Sequence, residues 1–402
     1  MSRKIDSSEL QLGMYVSELD RPWTETPFLF QGFSIRTTNE LSALHECCEF
    51  VYVDEEKSIS KPETGATQYR QQTSQTSEKK HPAYSVSIEE ELNQAREIRD
   101  VAKTHMANLI NEARLGKSIN TDKTTTIVSD LVESLIRNPD AMVLLGMIKR
   151  HEKEAEEHVI NSSILAMTLA RYLKMPRHEI EEIGLAALLH DIGETAIPLE
   201  LLTKGPKTNA EKRQLQQHTK LGAFLLNKID GMPRSVIDAA LQHHEQIDGN
   251  GYPKGLKGDE ISRVSKLIAI INVYERITNS SSGPKLPPSE ALRYLYLYRD
   301  RVFDSELTES FIRCLGVYPI GSIVELANGE VGIVVSTPPE DHLHPRLLLV
   351  RNSSKQPIEP PRIMNLSLFV KQDPDKYTIL HLHPPGSYDI DTNAYLGEYS
   401  IL

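Results

Sequence analysis

The chain has 402 residues, a formal net charge of −11 and a hydrophobic content of 39%. This length predicts two or three domains, and the composition is that of an ordinary globular protein. The acidic balance argues against a nucleic-acid polymer as partner, because such binding normally needs a basic surface. No apolar run is long enough for a membrane span, so we expect no membrane association. The three cysteines form no CxxC pair, which favours a reducing compartment and a cytoplasmic protein.

Residues 1–56 have the composition of a small mixed α/β module. Stretches rich in β-branched and aromatic residues predict strands at 13–16, 28–35 and 50–53. Residues 39–47 predict a short helix between the last two strands. A small structural core is the favoured interpretation, and a docking module for a protein partner is the alternative. Residues 57–85 are polar and poor in apolar groups, so they are predicted to be a flexible linker.

Residues 86–139 are predicted to be connecting helices. Ser87 and Glu90 form a capping-box pattern that opens a long amphipathic helix, which should end at Gly116. A second helix is predicted over 126–137, before a proline. The apolar stripe of the long helix leaves a homodimer open, although packing within the chain is the favoured interpretation.

The remaining chain predicts a mainly α fold with a short β extension. Residues 140–316 have the pattern of helices joined by short loops. Residues 317–371 change to strand periodicity, with a hairpin turn at Asn328-Gly329 between strands at 322–326 and 331–335, and a third strand at 346–351. Residues 372–402 are predicted to be an extended tail. The expected fold class is therefore a helical bundle with a small mixed α/β N-terminal module and a short C-terminal β-hairpin extension.

Half of the fourteen histidines fall between positions 151 and 244. His190 and Asp191 end an apolar helix, and a carboxylate can bridge two cations while an imidazole binds one of them. Glu154 and His158 are four residues apart and share a helix face. Further ligand-type residues on successive helices are His218, His243 and His244. One such histidine is usually a core residue, but the set favours a dinuclear site suited to iron or manganese.

Three separated motifs then resemble a known family. His-Asp-Ile-Gly at 190–193, His-His-Glu at 243–245 and Asp-Gly-Asn-Gly-Tyr-Pro at 248–253 resemble the bacterial HD-GYP phosphodiesterases, a subgroup of the HD metallohydrolases. The resemblance covers about residues 150–316, and residues 1–56 are similar to an accessory domain often found before HD-GYP domains. It implies an HD-type bundle that hydrolyses cyclic dinucleotides, chiefly cyclic di-GMP, at a centre of two or three iron or manganese ions.

The resemblance also implies roles for individual residues. Asp191 falls on the bridging position, and Glu154 falls where some members supply a carboxylate for a third metal. The other positions implied as metal ligands are His158, His190, His218, His243 and His244. The substrate-binding loop that gives the family its name corresponds to Gly251, Tyr252 and Pro253.

Two residues depart from the family pattern. Asn272 stands where the pattern Asp-Val-Tyr-Asp-Ala has its first Asp, so one metal should bind more weakly. Glu194 stands where the family has a phosphate-binding Lys, and the Arg-Pro-Tyr expected near 280–283 is missing. Glu194 is either the result of drift, a sign of a changed substrate, a replacement carboxylate ligand or a proton donor.

We therefore expect a cyclic dinucleotide phosphodiesterase whose activity is reduced or altered by Asn272 and Glu194. One alternative is a catalytically silent regulatory protein that binds a cyclic dinucleotide or a partner. The other is an HD-type phosphohydrolase that acts on another nucleotide.

Overall fold

The structure is a computed structural model. It describes residues 2–20, 33–35, 41, 44–45, 47–54, 85–117, 121–148, 155–279, 286–338, 341 and 343–400. Some predictions therefore lie outside the described residues: the linker except its last residue, Glu154, positions 280–283, and most of the strand at 28–35 and the helix at 39–47.

The N-terminal module contains an antiparallel sheet with its own small core. Its strands are β1 (Ser2–Asp6), β2 (Tyr15–Leu19), β3 (Phe33–Ser34) and β4 (Phe50–Asp54), in the order β1-β4-β2-β3. Val16, Val51 and Val53 point to the same side and are buried in that core. Strand β1 was not predicted because its sequence is polar. It forms by pairing along the whole of β4.

Three helices connect this module to the bundle. They are α1 (Ile88–Arg114), α2 (Asp122–Arg137) and α3 (Pro139–Met147). The predicted capping box is confirmed, since Glu90 N–H donates to Ser87 Oγ at 3.2 Å and Ser87 N–H donates to Glu90 Oε2 at 2.9 Å. The stripe of α1 that includes Ala95 and Met106 is buried in the core that it shares with the bundle. It is therefore not a free surface for dimerisation.

The bundle follows, and its first two helices are buried on most sides. Its helices are α4 (Ala155–Tyr172), α5 (Arg177–Leu189), α6 (Leu199–Thr203), α7 (Asn209–Gln216), α8 (His218–Leu226), α9 (Arg234–Gln242), α10 (Arg263–Asn279), α11 (Pro288–Leu297) and α12 (Ser305–Leu315). The spacing of Thr208 and Glu211 predicts a capping box that opens a helix carrying His218. The capping box is confirmed, but the helix that it opens ends at Gln216. His218 instead begins α8, because α7 has no buried residue whereas α8 turns inward and buries Thr219 and Leu226.

The C-terminal part is a five-stranded antiparallel sheet. Its strands are β5 (Ile323–Leu326), β6 (Val331–Ser336), β7 (Arg346–Arg351), β8 (Pro357–Asn365) and β9 (Ile379–His383), in the order β8-β7-β6-β5-β9. The predicted β5–β6 hairpin is confirmed, and Gly329 adopts the positive φ of 83° that its turn requires.

The stretch 372–402 was expected to be a tail, and this expectation is wrong over its described part. Strand β9 pairs with β5, and helix α15 (Thr392–Tyr399) buries Leu396 in the main core. Two short helices, α13 (Leu366–Val370) and α14 (Pro374–Tyr377), precede them. Arg96 on α1 also donates a 3.0 Å hydrogen bond to Ser400 Oγ. Strand β9 has the sequence Ile-Leu-His-Leu-His and is short, and its pairing with the distant strand β5 is what the local sequence did not indicate.

The fold class is mainly α, as predicted, with a helical bundle between two small sheets. Among the described residues, no helix combines the length and the apolar character that crossing a lipid bilayer requires.

Candidate metal centre

Asp191 lies at the centre of the predicted ligand set. It directly follows His190, which caps the end of α5, and its side chain is only 6% exposed. Its Oδ1 lies 3.4 Å from His218 Nε2 and 3.2 Å from His243 Nε2. Its Oδ2 lies 3.4 Å from His190 Nε2 and 3.6 Å from His158 Nε2. One carboxylate therefore faces two pairs of imidazoles, as a bridging ligand must.

Four imidazoles in the cluster are oriented in the same way. Each has its Nδ1 at a backbone carbonyl or a carboxylate, which leaves Nε2 directed at Asp191. The partners are Ala187 O for His190 at 2.7 Å, Leu215 O for His218 at 2.8 Å, Ala239 O for His243 at 3.0 Å, and the Glu275 carboxylate for His158. This arrangement is typical of metal-binding histidines, because the second contact fixes both the tautomer and the direction of the ring.

The donor atoms that meet at Asp191 fit a divalent cation. His158 Nε2, His190 Nε2 and Asp191 Oδ1 are buried and have no hydrogen-bond partner among the described residues. Leaving such an atom unpaired costs about 1–3 kcal/mol, and coordination to a cation would remove that cost. The 3.2 Å between His218 Nε2 and His243 Nε2 places two potential ligand atoms close enough for one cation to be held by both.

The cluster divides into two halves that share Asp191. We call the group of His158, His190 and Asp191 Oδ2 the His158 half. We call the group of Asp191 Oδ1, His218, His243 and His244 the His243 half. All six side chains were predicted as ligands, and the structure brings them together.

Burial sets the charge state of the His243 half. It lowers the pKa of His243 to about 4, and it also lowers the pKa values of His218 and His244. Burial alone would raise the pKa of Asp191, but the charges of His190 and Arg276 hold it well below its usual range. An ionised carboxylate therefore faces three neutral imidazoles, which is the state that binds a metal.

In the His158 half, a proton competes with a cation. Burial would lower the pKa of His190, but the adjacent Asp191 carboxylate outweighs it, and the pKa is raised. Glu275, which the sequence-based prediction missed, holds His158 from the other side. Its second oxygen accepts hydrogen bonds from Asn161 at 3.3 Å and Asn279 at 3.1 Å. Glu275 therefore positions an imidazole rather than facing a cation.

Arg276 is the second residue that the prediction missed. Its Nη2 donates to Asp191 Oδ2 at 2.5 Å, and its Nε donates to Asn272 Oδ1 at 2.8 Å. Asn272, predicted to be a weak or lost ligand, is thus paired with a guanidinium. The sequence did indicate that this residue is unusual, because Arg276 stands where the family pattern Asp-Val-Tyr-Asp-Ala has its final Ala.

Glu194 lies beside both halves on the short 3₁₀ turn Ile192–Ala196 and belongs to neither. Its Oε1 is 3.7 Å from Arg276 Nη2. Burial, followed by the charge of Asp191, raises its pKa to about 7. Together with Arg114 and Met106 of α1, these residues line a pocket that opens onto the cluster. This placement does not favour Glu194 as a metal ligand, and the proton-donor hypothesis stays open.

The loop with the Gly-Tyr-Pro motif lies against the His243 half. The Tyr252 ring stacks on the His244 ring, with 4.6 Å between their centroids. Gly251 is required there, because a Cβ at this position would lie 2.3 Å from Gln246 N. Pro253 follows in the same half-buried loop. The structure therefore places the predicted loop beside the cluster, with Tyr252 as its contact residue.

Glu245 anchors this loop and was also missed. Its carboxylate is buried and accepts the backbone N–H groups of Lys254 at 2.7 Å and Leu256 at 3.0 Å. The sequence did contain an indication that Glu245 matters, because it follows two ligand-type histidines directly in the motif His-His-Glu.

Comparisons with known proteins agree with this geometry. A family model described as HD domain matches residues 142–307, and a domain of unknown function, DUF3391, matches residues 2–124. The chain is 31% identical over 371 residues to the cyclic di-GMP phosphodiesterase PA4108 of Pseudomonas aeruginosa, which covers 91% of this chain and 89% of that protein.

Two further relatives each match less than half of this chain. The cyclic di-GMP phosphodiesterase response regulator RpfG of Xanthomonas campestris is 33% identical over 157 residues, which is 38% of this chain and 41% of that protein. The 3'3'-cGAMP-specific phosphodiesterase 2 of Vibrio cholerae is 30% identical over 169 residues, which is 41% of this chain and 32% of that protein.

A helical bundle with a His-Asp pair at the end of a buried helix, ringed by further histidines, defines a protein of the HD metallohydrolase superfamily. Within that superfamily the chain belongs to the HD-GYP phosphodiesterases, and the resemblance inferred from the sequence motifs is confirmed.

Proposed function

We propose that this protein hydrolyses a phosphodiester bond of a cyclic dinucleotide, cyclic di-GMP or a close analogue, with the help of bound divalent cations. One observation carries this proposal: a single buried carboxylate, Asp191, faces inward-directed nitrogens of His158, His190, His218 and His243. The relative that spans most of both chains is named a cyclic di-GMP phosphodiesterase, which supports this substrate class.

The protein's own residues prepare the site for a phosphate. A divalent cation bound at the cluster polarises a phosphate group and lowers the pKa of a water molecule. Burial lowers the pKa values of His218, His243 and His244, which keeps these three imidazoles neutral. Arg276, with a side chain 47% exposed, points its outer N–H groups toward the pocket, where a phosphate oxygen can accept them. Glu194 also faces this pocket and can protonate the leaving oxygen.

We further propose iron or manganese as the metal. The cluster offers imidazole nitrogen and carboxylate oxygen, and no thiolate is among its ligand-type residues in the described part of the chain. Metal analysis of protein purified without oxygen tests this choice.

A protein partner for residues 1–56 and a homodimer stay predictions. Because the apolar stripe of α1 is buried, a dimer would need another surface. Light scattering coupled to gel filtration measures the mass in solution and tests the dimer directly.

The function is tested by hydrolysis assays on the full chain. Protein loaded without oxygen with iron or manganese is incubated with cyclic di-GMP or 3'3'-cGAMP, and the products are separated by chromatography. We expect turnover that His190→Ala abolishes. His178→Ala is the matched control, since His178 is exposed on the same helix. No turnover of either compound at any metal loading would overturn the proposal and favour a catalytically silent binding protein. Cleavage of other nucleotides alone would favour an HD-type phosphohydrolase that acts on another nucleotide.

A further inference from the structure

Arg276 enters the metal centre from α10, one helical turn after Asn272. Its two hydrogen bonds engage Asp191 Oδ2 at 2.5 Å and Asn272 Oδ1 at 2.8 Å. The resemblance found in the sequence implied a bridging ligand at Asp191 and an Asp ligand at position 272. In the described part of the chain, the oxygens at these two positions are therefore both bonded to a guanidinium.

The remaining donors of the His158 half are two imidazoles. His158 Nε2 and His190 Nε2 lie 3.6 Å and 3.4 Å from the same oxygen that Arg276 contacts. A divalent cation held by these nitrogens would lie next to a fixed positive charge in a buried site. Like charges this close repel each other, and the neutral amide of Asn272 contributes no compensating charge. The 47% exposure of the Arg276 side chain reduces this repulsion without removing it.

The His243 half is arranged differently. Its oxygen, Asp191 Oδ1, accepts no hydrogen bond from the described residues and faces His218 and His243 at 3.4 Å and 3.2 Å. His244 completes this half, and Arg276 is not among its members. This half therefore keeps a complete set of four ligands.

We propose that the Arg276 guanidinium is a built-in cation that replaces the metal ion of the His158 half, so that the protein carries one metal ion per chain, bound by Asp191, His218, His243 and His244. This inference deepens the proposed function and rests on it for the reaction that the site performs. A phosphate in the pocket would then meet one metal ion and one guanidinium, instead of two metal ions.

Metal content per chain tests the inference without any activity measurement. The full chain is freed of metal with a chelator, reloaded with excess Mn²⁺, desalted and analysed by mass spectrometry of the metal. Electron paramagnetic resonance then distinguishes an isolated Mn²⁺ from a magnetically coupled pair. We expect one isolated ion per chain in the natural sequence. The ion should be lost in His244→Ala and retained in His158→Ala.

The double change Asn272→Asp with Arg276→Ala should restore the second position. We expect metal content to rise from one to two ions per chain and the spectrum to show coupling. Arg276→Lys keeps the positive charge and should keep one ion. Arg263→Ala, at an exposed arginine at the start of the same helix, is the matched control. Circular dichroism and thermal melting confirm that each variant folds.

Two coupled ions in the natural sequence would overturn the inference, as would a single ion that His158→Ala removes. A double variant that folds and still binds one ion would also overturn it. These outcomes leave the proposed function intact when hydrolysis is observed. Conversely, one ion per chain without hydrolysis of any cyclic dinucleotide overturns the proposed function alone. No bound metal in any variant would overturn both.

Discussion

His218 and His243 hold their Nε2 atoms 3.2 Å apart, although neither nitrogen carries a proton in the neutral ring. Both rings direct Nδ1 at backbone carbonyls, Leu215 O and Ala239 O, and a neutral imidazole has only one N–H to donate. Two lone pairs thus face each other, and Asp191 Oδ1 adds a third acceptor at 3.4 Å and 3.2 Å. Three acceptors with no donor between them are an arrangement that a bound cation would stabilise, which is why this pair marks the candidate metal site.

Metal should therefore stabilise the folded protein. A ligand at about 100 times its Kd adds about 2.7 kcal/mol to the free energy of unfolding when it binds only the folded state. We expect Mn²⁺ to raise the Tm of the metal-free protein and His218→Ala to remove this gain. The exposed-site variant His178→Ala should keep it. Differential scanning fluorimetry over a Mn²⁺ titration measures the change in Tm. An equal rise of Tm in His218→Ala would contradict the assignment of His218 as a metal ligand.

A glycine allows α8 to approach the cluster. A Cβ on Gly193 would lie 1.9 Å from His218 O, so Gly193→Ala must push His218 away from Asp191. We expect this variant to lose about 1–3 kcal/mol of stability, which is the usual cost of overpacking, together with most of its metal affinity. Gly205→Ala is the control, because a Cβ there meets nothing within 4 Å. Urea unfolding measures the loss of stability, and Mn²⁺ titration measures the loss of metal affinity. An unchanged metal affinity would contradict the prediction.

The sequence identified most residues of the cluster because their motifs are local. His190 and Asp191 are adjacent at a helix end, and His243 and His244 follow another helix, so the folding of each helix suffices to place them. Arg276 could not be placed in the same way. Its bond to Asp191 joins residues 85 positions apart, and it depends on how α10 packs against α5.

The C-terminal region shows the same limit. The β5–β6 hairpin was predicted from its own turn chemistry, whereas β9 becomes a strand only because β5 lies beside it. The motif His-His-Glu marked Glu245, but its role as an anchor could not be predicted, since the two N–H groups that it accepts belong to a loop whose path the sequence does not specify.

Removal of this anchor should affect substrate binding more than the metal. Glu245→Ala leaves the N–H groups of Lys254 and Leu256 unpaired, at a cost of about 1–3 kcal/mol, and frees the loop that carries Tyr252. We expect a higher KM for the cyclic dinucleotide with a smaller change in kcat. Asp259→Asn, at a fully exposed carboxylate, should change neither constant. Steady-state kinetics separate the two constants, and a loss confined to kcat would refute this role.

Glu194 should cause the fall of kcat on the alkaline side of the pH profile, which we call the alkaline limb. Burial and the charge of Asp191 raise its pKa to about 7, above the ordinary value of 4.5, so the folded protein keeps this proton at a pH where an exposed carboxyl has lost it. As a proton donor, Glu194 would be active below pH 7. It would lose its proton as the pH rises through 7, so kcat should fall on the alkaline side of the pH profile.

The variant Glu194→Gln cannot donate a proton. We expect it to lose about 10²–10⁴-fold in kcat and to show no fall of kcat on the alkaline side. Glu200→Gln, an exposed neighbour on α6, should keep both the rate and the limb. A limb that persists unchanged in Glu194→Gln would assign the proton to another group.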